Sequence, residues 1–158
     1  MEIIKATLED IEDMMVVYKQ AKAFMKENNN PQWPEDYPSK EWIIEDINHM
    51  YLCKEDKNIA CVFYFAIEED EDYQDLKGSW LNDEPYGVVH RVASSMIVKG
   101  AAKYCLDWAF QQIPNIRIDT HPANIPMQNL LKKCGFQLCG TFERIDMEWL
   151  AYQKTEEA

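Results

Sequence analysis

The chain has 158 residues, enough for one domain with a substantial core and too few for two of ordinary size. Its 47% hydrophobic content excludes a disordered chain, and no apolar run approaches the roughly 20 residues that cross a bilayer. With 28 acidic against 16 basic residues the net charge is −12, which excludes the basic footprint of a nucleic-acid binder.

The acidic excess either favours a cationic ligand such as an amine or serves only solubility. The opening M-E-I-I-K-A-T lacks the charged-then-apolar pattern of a secretory signal, so a cytoplasmic protein is expected. Five cysteines (Cys53, Cys61, Cys105, Cys134, Cys139) form no C-x-x-C pair and have no histidine at ligand spacing. They are expected to be reduced and mostly buried, with neither disulfides nor a metal site.

Residues 2–6 predict a first strand. Thr7 then reads as an N-cap with Glu9 and Asp10 in the first turn. Leu8, Ile11, Met15 and Tyr18 recur at helical steps and predict a helix to about residue 26, stopped by Asn28, Asn29, Asn30 and Pro31. The loop P-Q-W-P-E-D-Y-P carries Trp33 and Tyr37, which either line a substrate pocket or pin the loop to the core. Ser39 caps a second helix, expected to bury Trp42, Ile43, Ile47 and Met50. Residues 51–53 and 59–67 predict a hairpin whose second arm, I-A-C-V-F-Y-F-A-I, is apolar on both faces like a central strand. The acids Glu68, Glu69, Asp70, Glu71 and Asp72 read as a solvated loop or as the rim of a cation-attracting pocket. Residues 73–86 read as a loop.

The stretch 88–110 organises the rest. Val88, Val89 and Val92 suit a buried strand, a short turn ends at Gly100, and Ala101, Ala102, Cys105, Trp108 and Ala109 share one helical face. A strand entering a helix through a glycine-bearing turn leaves backbone N–H groups free at the helix start. With the helix dipole these make a phosphate site, so a phosphorylated cofactor is expected to dock there. Residues 115–121 alternate as a strand. Asn124 caps a further helix with Pro126 in its first turn, an apolar stripe of Met127, Leu130, Leu131 and Cys134, and Gly135 at its stop. Strands over 136–140 and 145–152 complete a single domain over 1–153, with a polar tail at 154–158.

This order of elements, the segment W-L-N-D-x-P-Y-G-V-x-H-R-x-A from Trp80 to Ala93, and the ending N-x-x-M-Q-N-L-L-K-K-C-G-F resemble the GNAT superfamily of acyl-CoA N-acetyltransferases, in particular its small bacterial members. The resemblance implies an α/β fold: a mixed, mostly antiparallel central sheet with helices on both faces and splayed central strands. It implies acetyl-CoA as acyl donor, no metal, a small-molecule or peptide amine as acceptor, and a homodimer, a common state in that superfamily. The superfamily's pyrophosphate loop lands on Ile97, Val98, Lys99, Gly100, Ala101 and Ala102, with the small positions matched at Gly100 and Ala102 and Ile97 in place of the usual Gln or Arg. Lys99 and Lys103 either add charge near the phosphates or are plain helix-surface lysines. The resemblance also implies that the strand from Val88 to Ser94 pairs with the pantetheine arm, with Val92, Ala93 and Ser94 beside it, and that Asn124, Met127 and Gln128 flank the cofactor.

A protonated amine, with a pKa of about 10.4, must lose a proton before it attacks. His90 is a candidate base or else a satisfied core histidine, and His121, with Asp119, stands on the same terms. The tyrosine that many members use as acid is replaced by Leu131, leaving Tyr73 or Tyr86 for that role. The substrate pocket is expected to be built from Trp33, Tyr37, Trp80 and Tyr86, beside Tyr73. Leu131 and Ile97 also motivate the alternative of a catalytically degenerate acyl-CoA-binding or regulatory module.

Overall fold

A computed structural model describes residues 1–156. In chain order the elements are β1 (Glu2–Lys5), α1 (Ile11–Glu27), α2 (Lys40–Glu45), β2 (Met50–Glu55), β3 (Asn58–Ile67), β4 (Lys77–Gly78), β5 (Gly87–Ser94), α3 (Ala101–Gln112), β6 (Asn115–Thr120), α4 (Ile125–Lys133), β7 (Gln137–Arg144) and β8 (Met147–Thr155). All strands join one sheet in the order β1-β2-β3-β5-β6-β8-β7-β4. Every pairing is antiparallel except that of β5 with β6.

The two-faced apolar run of β3 explains the layering. Val62, Tyr64 and Ala66 face a core that includes Met14, Val17 and Tyr18 of α1 and Ile43 of α2. Cys61, Phe63 and Phe65, the alternate positions, face a second core with Cys105, Leu106 and Ala109 of α3 and Leu131 of α4. Helices therefore cover both faces. Each fully buried large aliphatic side chain contributes about 1.5–3 kcal/mol, so these two cores hold the sheet between them.

The centre of the sheet is open at one end. β5 and β6 pair at Gly87 with Ile116 and at Val88 with Arg117, and there the parallel ladder stops, although β5 runs on to Ser94 and β6 to Thr120. On its other edge β5 carries a bulge. Tyr64 opposes His90 and Val62 opposes Ala93, so β5 advances three residues while β3 advances two. Arg91 absorbs the extra residue with φ 54. A left-handed conformation in a residue with a Cβ costs about 1–2 kcal/mol, and the bulge follows the point at which the ladder with β6 has stopped.

Three expectations are corrected. The segment 73–86 is not all loop: it contains a 3-10 turn over Glu71–Asp75 and the edge strand β4, too short to show an alternating pattern. β4 meets β7 where Gly78 faces Gly140, and a Cβ on either glycine would lie 2.2 Å from a backbone oxygen. Trp42 is 52% exposed, because α2 has only six residues and turns Ile43 inward instead. Finally, β8 takes in Lys154 and Thr155, which were expected in the tail, while residues 157 and 158 lie outside the described part.

Candidate active site

Where β5 and β6 part, a cavity of about 450 Å³ opens. His90 and Val92 line it from β5, Ile118 and Asp119 from β6, and Asn124 and Met127 from the start of α4. Trp33 and Tyr37 close it from the proline-punctuated loop. That loop is tied down by Gln32, whose Oε1 accepts from the Thr120 hydroxyl at 2.9 Å, the His121 N–H at 3.1 Å and Asn124 Nδ2 at 2.8 Å.

His90 is the centre of a polar chain. Its Nε2 lies 2.9 Å from Asp70 Oδ2, and its Nδ1 lies 3.7 Å from Asp119 Oδ1. Asp70 is set by local structure: it caps the 3-10 turn by accepting from the Asp72 N–H, and its own N–H donates to the Tyr86 hydroxyl at 2.9 Å. Burial alone would raise the Asp70 carboxyl, but the His90 hydrogen bond and charge, the Asp72 N–H and Arg144 together hold it below its ordinary value. An ionised Asp70 fixes the proton of a neutral His90 on Nε2 and leaves Nδ1 as an acceptor. Asp119, its side chain 4% exposed, accepts from the Tyr73 hydroxyl at 2.7 Å and from Arg144 Nη2 at 3.3 Å. Arg144 also bonds Asp72 at 3.0 Å; burial opposes its charge, yet Asp119 and Asp72 hold its guanidinium protonated above the usual value.

The acids Glu68, Asp70 and Asp72 all line this cavity, so the run at 68–72 forms part of a pocket rim. Together with Asp46 and Asp119 they outnumber the two guanidiniums, Arg91 and Arg144. The field inside favours a cation.

The remaining expected catalytic residues sit differently. Tyr73 is fully buried, and burial followed by the Asp119 charge pushes its hydroxyl well above the ordinary tyrosine value. Its hydroxyl donates to Asp119 and orients that carboxylate. His121 does not line the cavity; its Nδ1 accepts from the Ala123 N–H at 3.0 Å, its ring stands edge-on to Trp149, and burial lowers its pKa. Its turn geometry accounts for its position. Leu131 on α4 and Cys134 at its C-terminal cap are core residues.

Of the expected pocket aromatics, Trp33 and Tyr37 line this cavity and Trp80 and Tyr86 do not. The latter two line a separate cavity of about 710 Å³, where they sandwich the Arg117 guanidinium at 4.2 and 4.0 Å from their ring centroids. Trp80 also donates to the Tyr73 carbonyl, and Asn82 accepts from Asn115 and Gln153. The tryptophan-to-tyrosine part of the 80–93 segment thus braces the sheet, and its His90-Arg91 part enters the cavity.

Beyond the bulge, the chain turns into α3 through Gly100 at φ 84, a conformation suited to glycine. None of the backbone N–H groups from Ile97 to Lys103 has a hydrogen-bond partner among the described residues. A Cβ built on Gly100 meets nothing within 4 Å, so the approach to these donors is open. Ala101 is buried, Ala102 half-buried, Lys99 exposed, and Val98 rests against the second core. Lys103 is committed to Asp107 at 2.6 Å. Ala93 is buried, and the Ser94 hydroxyl turns back to accept from the Met96 N–H. Asn124 and Gln128 are also engaged: Asn124 caps α4 by accepting from the Met127 N–H, and Gln128 Nε2 donates to the Pro122 carbonyl at 2.6 Å. Their side chains shape the turn, leaving Met127 as the apolar contact from α4.

Among the described residues no group of three or more His, Cys, Asp or Glu side chains is arranged to hold a metal ion, and no helix is long and apolar enough to cross a membrane.

An antiparallel sheet that opens between one parallel pair, beside a helix start rich in free N–H groups, defines the acyltransferase class of α/β fold. Comparison with known proteins makes this specific. The model of the acetyltransferase (GNAT) domain matches residues 1–137, and the chain belongs to that family. A GNAT-family acetyltransferase from Streptococcus agalactiae 2603 is 32% identical, with 99% of this chain and 96% of that chain covered and a TM-score of 0.91. Two more distant structures share the fold. A GNAT-family acetyltransferase from Listeria monocytogenes is 18% identical, covers 97% of this chain and 93% of its own, and has a TM-score of 0.72. The ribosomal-protein-alanine N-acetyltransferase of Brucella melitensis is 15% identical, covers 98% and 99%, and has a TM-score of 0.66. No match was found among curated proteins.

Proposed function

We propose that the chain is an acetyl-CoA-dependent N-acetyltransferase acting on a primary amine, with the cavity between β5 and β6 as its acceptor site. The observation that carries this reading is the carboxylate-rich gap: Asp119 and His90 Nδ1, 3.7 Å apart, stand where the two strands have separated. One ammonium can donate to both atoms. Asp119 then holds the cation while Nδ1 takes its proton, with Asp70 fixing the imidazole tautomer through Nε2.

The fit of acetyl-CoA is supported by the unpartnered N–H groups at 97–103 and by the open approach at Gly100. Those donors, with Lys99 beside them, would hold its phosphates, and Val92 and Met127 would bound its thiol end. When bound, it supplies an acetyl group activated as a thioester. The backbone of β5 at Val92, Ala93 and Ser94, turned by the bulge, is the candidate donor to the carbonyl oxygen. Trp33 and Tyr37 exclude water from the acceptor. The reading includes a cytoplasmic enzyme and a homodimer as its assembly.

The test is thiol release from acetyl-CoA over a panel of primary amines, with CoA affinity measured by calorimetry. Turnover of amines with product acetylated on nitrogen is expected. Tight CoA binding without release on any amine would instead favour a degenerate acyl-CoA-binding module, the alternative that Leu131 and Ile97 suggest.

A further inference from the structure

His90 and Arg91 are consecutive in β5, and in a regular strand consecutive side chains point to opposite faces. Here both line the same cavity. The bulge at Arg91, with its φ of 54, brings the arginine round to join the histidine. Such a conformation persists where the surroundings over-determine it, and these do. The Tyr18 hydroxyl donates to the Arg91 carbonyl at 2.8 Å, Nη1 donates to Asp46 at 2.6 Å, and Nε donates to the Tyr37 hydroxyl at 3.0 Å. The guanidinium carbon also lies 5.6, 5.6 and 5.7 Å from the ring centroids of Tyr37, Trp42 and Tyr64.

One nitrogen is left over. The Arg91 side chain is only 9% exposed, yet its Nη2 has no hydrogen-bond partner among the described residues. Of their side-chain atoms only Arg117 Nε is both sealed from solvent and unpartnered, so Arg91 Nη2 is not sealed, and the space that Arg91 lines is the cavity. A rigid, charged donor beside the candidate base is placed to read the acceptor.

We propose that Arg91 Nη2 donates to a neutral carbonyl oxygen of the acceptor, so that the site selects amines carrying an amide a few bonds from the reactive nitrogen over plain alkylamines. This rests on the acetyltransferase reading of the cavity. A carboxylate is the wrong acceptor, because Asp46 already meets the charge of Arg91 and the other carboxylates at hand outnumber Arg144. The recognised chemistry is therefore a neutral amide on the acceptor, of which an α-amino amide, free or at the end of a peptide, is the simplest form.

The experiment measures kcat/KM of the wild-type protein for alaninamide, propylamine and alanine, with thiol release as readout, and repeats the first two with Arg91→Lys. Alaninamide is expected to exceed propylamine by about tenfold or more, the usual worth of one hydrogen bond to a charged group, over and above the advantage of its less basic amine (α-amino pKa about 8 against about 10.4), and alanine is expected to fall below both. In Arg91→Lys, which keeps the charge beside Asp46 but loses the fork, the ratio should shrink by about tenfold, to what the two amine basicities alone give. A wild-type ratio no larger than those basicities give overturns the inference while leaving amine acetylation standing, and it needs no variant. A ratio unchanged in Arg91→Lys overturns the role of Arg91, as does a loss of CoA affinity with the ratio intact, which would assign the nitrogen to the acyl donor. Release on none of the three overturns the acetyltransferase reading and the inference with it. A tripeptide with N-terminal alanine separates the two sources: faster turnover than alaninamide assigns the site to peptide ends, slower turnover to small amides.

Discussion

His90 is held between two carboxylates of different character. Asp70 is fixed by the turn that it caps and by the Tyr86 hydroxyl, while Asp119 is fixed by Tyr73 and Arg144. In the proposed reaction the first pairing would set the tautomer and the second would present a negative charge to the incoming amine. Replacing His90 with Gln keeps a polar side chain of similar reach and removes the proton-accepting ring nitrogen. We expect His90→Gln to lower kcat/KM by roughly 10²–10⁴-fold, the usual worth of a positioned base. Its CoA affinity should change little, because the turn at 97–103 proposed to hold the phosphates lies beyond the bulge. Asp70→Asn should produce a smaller loss of the same kind, through a wrong tautomer rather than a missing base. Stopped assays paired with calorimetry check both. A His90→Gln protein that binds CoA and turns over amines at the wild-type rate removes histidine from the mechanism.

At the scale of elements, the bulged strand and the helix that follows it were legible in the residues, because each depends on local chemistry. The valines of β5, Gly100 at φ 84 and the alanine-lined face of α3 are short-range signals. The Asn124 cap and the stripe on α4 are of the same kind. What stayed hidden depends on contacts between distant segments. Arg144 reaches Asp119 and Asp72 from the end of β7, and Gln32 gathers three donors from the end of β6 and the turn leading into α4; neither has a sequence pattern that announces it. Arg91 was hidden for a sharper reason: strand alternation assigns it to the face opposite His90, and only the bulge reverses that. Trp80 and Tyr86 were expected in the pocket for their aromatic surface, and a buried guanidinium took that surface instead. The glycine turn gives this scale its prediction. Gly100→Val forces a β-branched residue into the left-handed region and sets a side chain in the open space before the free N–H groups. CoA affinity should fall by about tenfold or more, with a drop of several degrees in Tm. Wild-type affinity in a folded variant would remove the 97–103 turn from the cofactor site.

Over the whole molecule the net charge of −12 acts on the two substrates with opposite sign. A cationic amine is drawn towards the protein and then into a cavity whose carboxylates exceed its guanidiniums. On the proposed reading coenzyme A, a polyanion, must approach the same acidic surface and would hold on through main-chain donors and Lys99 rather than through a strong basic patch. Salt screens both effects, since the Debye length falls from about 30 Å at 0.01 M to about 10 Å at 0.1 M. Raising ionic strength across that range should therefore raise the KM for the amine and lower the KM for acetyl-CoA, with kcat little changed because the His90 pairing with Asp70 is short and partly buried. Initial rates at fixed pH over a series of sodium chloride concentrations test this, with a neutral osmolyte as control. Parallel shifts of the two KM values, in either direction, would mean that the acidic excess serves solubility alone and that neither substrate is guided by it.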